Sequence, residues 1–382
     1  PANSTYTGSV GGVNNCPWSC NSGYIKNGNS CVVLPAKVIT VVDSNGDVGY
    51  YPSITIGSDG FARMSYKDQT NRDLKFIRCT NMDCTTRNIA TVDSIGDVGN
   101  NTSIVLGSDG FARISYDDTT NGDLKFVQCT NIDCTTKNIT TVDSAGNVGG
   151  HTSIKLGLDD FARISYFSYT ESELKFVRCT NIDCSTKNIT TVDSAEFVGV
   201  KSSLAIGFDG LARIGYYDAI NKDLKFAQCT NTDCSTRNIV VVDSIGDVGY
   251  CPSLTLGSDG LVRISYEGST TGGLKFAQCT NASCSVSNIT VIDPVASSRP
   301  SLSLASDGFA RISYLDNTNN NFKFVRCTNA DCSTKNITII DPTSGAWHGS
   351  TALSPSGFAR MSYLDGANGD LKFANCNNLN CS

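Results

Sequence analysis

The side chains of this 382-residue chain that could do chemistry are mostly sulfur, with 18 Cys against only 2 His. So large and even a cysteine count, beside so little imidazole, argues against His-based zinc or haem chemistry. It favours disulfides made in an oxidising compartment. Fourteen of the cysteines fall into pairs with one C-x4-C spacing: Cys79/Cys84, Cys129/Cys134, Cys179/Cys184, Cys229/Cys234, Cys279/Cys284, Cys327/Cys332 and Cys376/Cys381. Four-thiolate zinc sites bring two C-x2-C halves together, whereas these pairs recur singly. Each is therefore read as a local disulfide, contributing on the order of 2 kcal/mol by closing a short loop. Cys16, Cys20, Cys31 and Cys251 are left over. Either Cys251 is a free thiol with one further unpaired cysteine in the N-terminal segment, or that segment of one molecule meets Cys251 of the next. The second arrangement would propagate head-to-tail as a filament.

What must position these groups is a repeat. The segment SITIGSDGFARMSYKDQTNRDLKFIRCTNMDC, residues 53–84, returns six more times. The Asp of its S-D-G turn stands at Asp59, Asp109, Asp159, Asp209, Asp259 and Asp307, with Ser356 in the last copy, at intervals of 50, 50, 50, 50, 48 and 49. Each unit contains four short β-type runs bounded by turn residues and shows no helical periodicity. In the first unit they are 53–56, 61–66, 74–79 and 88–93. Four antiparallel strands repeated seven times predict an all-β fold, a seven-bladed β-propeller of four-stranded antiparallel blades. Each cysteine pair then staples the turn between third and fourth strands, and is expected on the outer rim. The run KVITVVD at 37–43 matches the fourth-strand run of the repeats, and the last unit stops after its third strand. The N-terminal strand is thus expected to close the ring and remove its open edge. The expected organisation is a flexible arm over 1–15, a small cysteine-rich module over 16–35 and the propeller over 36–382.

The pattern SIxxGSDGxxRISYxDxxNxDLKFxxCTNxxC covers about nine-tenths of the chain. It resembles the repeats of uncharacterised secreted bacterial and archaeal seven-bladed propeller proteins. It lacks the WD dipeptide, the kelch motif and the full spacing of the sialidase Asp-box. The resemblance implies an extracellular setting and a propeller fold, and supplies no activity.

Residues identical in all seven copies serve the blade, because one binding site does not need seven equivalents. Arg63, Arg113, Arg163, Arg213, Arg263, Arg311 and Arg360 form one such column, and Asp43, Asp93, Asp143, Asp193, Asp243, Asp293 and Asp341 another. Seven Arg against seven Asp predicts a ring of charge-assisted pairs. Positions that differ between copies are better candidates for recognition. The sharpest is the residue two before the inner-strand Ser: Tyr51, Asn101, His151, Lys201, Cys251, Arg299 and His348. With Tyr50, Tyr250 and Trp347 just before it, this column is expected to ring the top mouth of the central channel, on variable loops. Aromatic, cationic and imidazole side chains there suit a surface glycan or protein ligand.

Other chemistry is poorly supported by the sequence. A formal charge of −6 offers no basic excess for nucleic acid. No run approaches the roughly 18 apolar residues of a membrane span, and no charged-then-apolar leader is seen, so a mature form is expected. Asp43-Ser44-Asn45-Gly46-Asp47 resembles the start of a calcium loop, but no terminal Glu follows, so neither metal nor cofactor is expected. Asn138, Asn188, Asn288 and Asn336 lie in N-I-T sequons and are candidate glycosylation sites. Glu171, Glu173, Glu196 and Glu267 do not repeat, yet none pairs with a second carboxylate as glycoside hydrolysis requires. Both histidines are placed on exposed loops, so no triad is assembled. The leading expectation is a non-catalytic extracellular or cell-surface protein, adhesive or a structural subunit that self-associates through its N-terminal module. The alternative is a carbohydrate-binding propeller using the top loops, with a glycosidase-type enzyme behind it.

Overall fold

The structure, a computed structural model, describes residues 4–6, 18–21, 24–27, 30–33, 35–269, 273–295, 297–342 and 345–382. Seven four-stranded antiparallel sheets follow one another along the chain, each ordered from inner to outer strand as in the sequence. In the first blade the strands are Val48–Ile56, Ala62–Asp68, Asp73–Cys79 and Arg87–Asp93. The seventh blade takes its outer strand from the other end of the chain. Lys37–Asp43 pairs with Asp370–Cys376, with Cys376 opposite Lys37 and Leu371 opposite Asp43, so the ring closes as expected. There is no helix among the described residues.

The second strand explains why single blades cannot stand alone. In ARMSYKD all seven residues are buried, because both faces of each sheet are covered by neighbouring blades. Core clusters accordingly span blades: Leu74 and Phe76 of the first pack with Ile104, Ile114, Tyr116 and Val127 of the second. The outer strands, such as RNIATVD, are half exposed.

All seven C-x4-C pairs are disulfides across the turn between third and outer strands: Cys79–Cys84, Cys129–Cys134, Cys179–Cys184, Cys229–Cys234, Cys279–Cys284, Cys327–Cys332 and Cys376–Cys381. They lie at the two outermost strands of each blade, and their sulfurs are buried. The second cysteine of each pair, Cys84, Cys134, Cys184, Cys234, Cys284, Cys332 and Cys381, is no more than 1% exposed. Cys84, for example, belongs to the core cluster that holds Met64, Tyr66 and Ile77. The backbone of the turn is the reason. These seven residues lie in the left-handed region, at φ of 53–58°, which a non-glycine residue adopts only when held there. Each donates its N–H to the Asn three residues earlier, as Cys84 does to the Asn81 carbonyl at 3.2 Å, and this folds the turn back over the end of the sheet. The crosslink to the third strand then fixes the reversed turn. Cys31 is also disulfide-bonded, and Cys251 is free. Cys16 and the side chain of Cys20 lie outside the described residues.

The expected pairing of the Arg and Asp columns is not what forms. Arg63 reaches the Asp of its own S-D-G turn instead, Nη2 to Asp59 Oδ2 at 2.6 Å, and five further blades repeat this i,i+4 pair. The reason is position: Arg63 stands at the turn end of its strand, whereas Asp43 ends an outer strand at the opposite end of the blade. In the seventh blade Ser356 replaces the turn Asp, and the Nη2 of buried Arg360 has no partner.

The Asp43 column joins blades instead. Asp43 Oδ2 accepts from Tyr66 Oη at 2.5 Å and Lys75 Nζ at 3.2 Å, both in the next blade. The Tyr–Asp bond recurs in all seven blades at 2.5–2.9 Å. The Lys–Asp bond recurs in six. In the remaining one Lys175 turns to Glu171 at 3.0 Å, next to Ser168 where most blades have Asp. Burial, then the neighbouring Asp, pushes each Tyr of this column far above its ordinary pKa, so the phenol remains a donor. Around the channel a second set of bonds runs from blade to blade, such as Ile104 N–H to Ser53 Oγ at 3.2 Å and Leu254 N–H to Ser203 Oγ at 2.9 Å.

Tyr216→Phe deletes the phenol that donates to Asp193 at 2.7 Å. Unfolding by denaturant should show a loss of about 1–3 kcal/mol, as for a buried charge-assisted bond. Tyr217→Phe, whose hydroxyl reaches the more exposed Asp247 at 2.8 Å, should lose less. Equal losses would mean that the inter-blade bond has no special weight.

Candidate functional site

The variable column lies at one end of the channel, but not on loops. Each inner strand begins earlier than the sequence suggests, and the column falls within it, at a register shift. In the first blade the shift lies between Tyr50, opposite Lys67, and Ser53, opposite Ser65. Here the chain adopts the left-handed region. Tyr51, Asn101, His151, Lys201, Cys251, Arg299 and His348 have φ of 48–58°. This turns all seven side chains inward around one cavity of about 200 Å³. The histidines are therefore half-buried strand residues and not exposed loop residues.

Positive φ favours Gly and is better tolerated by Asn and His than by Tyr, Lys, Cys and Arg, which are strained there. Two residues upstream, five blades do use glycine. A Cβ on Gly249 would come within 2.5 Å of Leu224 Cα in the preceding blade, so glycine is required there. At the column itself glycine would relieve strain of order 1–3 kcal/mol per residue, yet no copy has it. The side chains are retained against the backbone preference.

Their arrangement is lopsided. On one arc stand aromatic rings: Tyr51 lies 4.2 Å from the His348 ring, Tyr50 lies 6.5 Å from Tyr51, and Arg299 covers Trp347 at 5.7 Å. Trp347 is 56% exposed, an open face for stacking. Arg299 also flanks Cys251, with Lys201 on its other side in blade order. Burial, and then the charges of Lys201 and Arg299, hold both histidines well below their usual pKa, so both are neutral near pH 7. His151 Nδ1 faces Asn101 Oδ1 at 3.2 Å, and the ring nitrogens of His348 face Arg299 Nη1. Burial pushes the Cys251 thiol up to about 11, against the pull of the two cations, so it is not a thiolate nucleophile.

Two further residues belong to the site. Behind the mouth, Asp117 is opposite Asn100 and Glu267 opposite Tyr250. Each has one buried carboxylate oxygen without a partner. Burial raises both to about 7, with Asp118 adding to the shift at Asp117 and Arg299 opposing it at Glu267. Sequence reasoning weighed Glu267 only as half of an acid pair and passed over Asp117. The available signal was their column: Lys67, Asp117, Phe167, Tyr217, Glu267, Leu315 and Leu364 vary within a strand whose other positions nearly repeat.

Folded Asp117 and Glu267 keep their protons up to about pH 7, whereas the ordinary values are 3.8 and 4.5. Between those limits the unfolded chain binds fewer protons than the native one, so their contribution to stability falls as pH rises. Relative to Asp117→Asn/Glu267→Gln, the wild type should gain stability from pH 7 to pH 5, read by denaturant unfolding at each pH. A difference that is flat across this range would show both carboxyls ionised in the fold.

No protein-family model matches the chain, and no curated protein matches it. Solved structures do. A Dyadobacter fermentans protein of unknown function aligns with TM-score 0.54 and 10% identity, over 90% of this chain and 99% of its own. A polysaccharide lyase, Uly1, aligns with TM-score 0.53 and 11% identity, over 89% and 91%. The NanB sialidase of Streptococcus pneumoniae aligns with TM-score 0.50 and 10% identity, over 90% and 71%. At such identities the likeness is one of fold. It still corrects the expectation of a non-enzyme, which rested on the lack of a carboxylate pair and of a triad: the same fold carries a lyase and a sialidase.

Proposed function

We propose that this chain is a carbohydrate-binding propeller that takes its ligand into the top mouth of the channel. The observation that carries this reading is the ring of seven non-glycine side chains held at positive φ around one cavity. A cavity of about 150 Å³ accommodates a six-membered ring, so a mouth of about 200 Å³ suits one sugar residue at a time. Tyr51 and Trp347 offer ring faces, while Asn101 and the neutral histidines offer hydrogen-bonding groups for hydroxyls. The adhesive or filament-forming reading is less well supported, since carbohydrate-active propellers are among the proteins that share this fold. With seven disulfides among the described residues, the protein works outside the cytoplasm, in an extracellular setting. On a glycan array the wild type should bind a restricted set of saccharides, and Tyr51→Ala with Trp347→Ala should lose that binding while unfolding normally. Absence of binding to every saccharide would refute the reading.

A second reading, cleavage of the bound saccharide, rests on Glu267. A carboxyl raised to about 7 beside a saccharide-sized mouth is suited to general acid catalysis, and Asp117 offers a second such group. Release of reducing ends from a polysaccharide panel should then fall about 100-fold or more in Glu267→Gln, with binding retained. If the wild type releases none, cleavage is excluded and binding is not.

A further inference from the structure

The chain carries 36 acidic residues and a formal charge of −6, yet none of the fourteen residues lining the mouth is Asp or Glu. Two of them, Lys201 and Arg299, are cations, and among the described residues neither forms an ion pair with a carboxylate. Below the mouth the channel opens into a second cavity of about 410 Å³, whose lining includes Lys155 and again no acid. Acidic side chains are abundant on this protein and excluded from its axis.

The two mouth cations stand two blades apart in the ring. They belong to the fourth and sixth blades, and the fifth places Cys251 between them, the smallest side chain of the column. Any other residue of the column would fill that gap; the thiol leaves it open. Behind it Glu267 lies in the second strand of the same blade, opposite Tyr250, with Asp247 near it. Held largely protonated below pH 7, Glu267 is a poor counter-ion. Beside Arg299, in the seventh and first blades, lie Trp347, His348 and Tyr51, able to receive the face of a ring.

We propose that the saccharide bound in the mouth is anionic, a sugar ring whose carboxylate or sulfate enters above Cys251 and is held between Lys201 and Arg299. This rests on the carbohydrate-binding reading above and narrows its ligand class. Charge-assisted bonds from two cations to one anionic group give both affinity and orientation. They also set the stacked ring in one direction, with its anionic substituent toward the fifth blade.

The test is calorimetric titration of the full chain with three probes: a galacturonic acid trimer, a galactose trimer and a sulfated galactose oligomer. At least one anionic probe should bind about tenfold or more tightly than the neutral one, and the two anionic arms distinguish carboxylate from sulfate. Lys201→Asn and Arg299→Asn, which place an Asn where φ is 58° and 53°, should each lower anionic affinity about tenfold. Neutral affinity should fall less than anionic affinity in each, so that the preference for the anionic probe narrows. Cys251→His introduces a side chain that two other blades already carry in this column, and should weaken anionic binding with both cations in place. Equal affinity for neutral and anionic probes, or equal loss of both in the Asn variants, would overturn the inference and leave the carbohydrate reading intact. Failure of all three probes to bind, in a protein of normal unfolding midpoint, would count against both.

Discussion

The interaction on which this molecule depends is a buried carboxylate shared between neighbours. At the end of each outer strand one Asp accepts from the Tyr, and in six blades the Lys, of the next blade. A lone charge in such a place would be very costly, and an ion pair there roughly balances its own desolvation. Its value is in register. The oxygen can be satisfied only if the next blade arrives at one height and one rotation. Asp193 illustrates the balance: burial alone would raise its pKa, but bonds from Lys225 and Tyr216 outweigh that and hold it below the usual carboxylate range. The carboxylate is thus ionised because the neighbour is present.

The same constraint explains why the ring tolerates irregular blades. Where Ser168 replaces the inner Asp, Glu171 moves in to neutralise Lys175. Where Ser356 replaces the turn Asp, Ser354 also replaces a glycine. The two hydroxyls meet at 2.9 Å, where other blades hold the Arg–Asp pair. Arg360 is left with carbonyl partners, Ala359 and Cys376, and burial lowers it to about 10. One blade can lose this ion pair because the disulfide, the core and the inter-blade carboxylate remain.

How far the sequence revealed this follows from the scale of each interaction. Blade number, strand order, ring closure and seven disulfides are local patterns multiplied by seven, and were legible. The burial of those disulfides was not, because spacing pairs Cys79 with Cys84 without saying which way the turn between them folds. The partner of Arg63 was hidden too, since two acidic columns compete for it. Only the three-dimensional placement of Asp59 and Asp43 at opposite ends of a blade separates them. The mouth column was visible as variation, but its left-handed backbone was not, since Tyr51, Lys201, Cys251 and Arg299 are residues little expected there. Asp117 and Glu267 escaped for another reason. Their raised pKa values come from burial by other blades, and a sequence carries no record of burial between units 50 residues apart.

Strain at the mouth and order in the ring are two parts of one design. Seven side chains can be held at unfavourable φ only if the surrounding structure over-determines the backbone. Inner-strand hydrogen bonds such as Ile104 N–H to Ser53 Oγ, and the close approach of Gly249 to Leu224, fix the chain on either side of the strained residue. A repeat supplies this rigidity seven times with the same residues, which leaves one position per blade free to differ. Asymmetry is thereby confined to the channel axis, where aromatic rings stand beside cations that have no carboxylate partner among the described residues. An acidic protein can in this way present a small, rigid and positively charged mouth, and the charge survives because no carboxylate of the repeat is positioned to reach it.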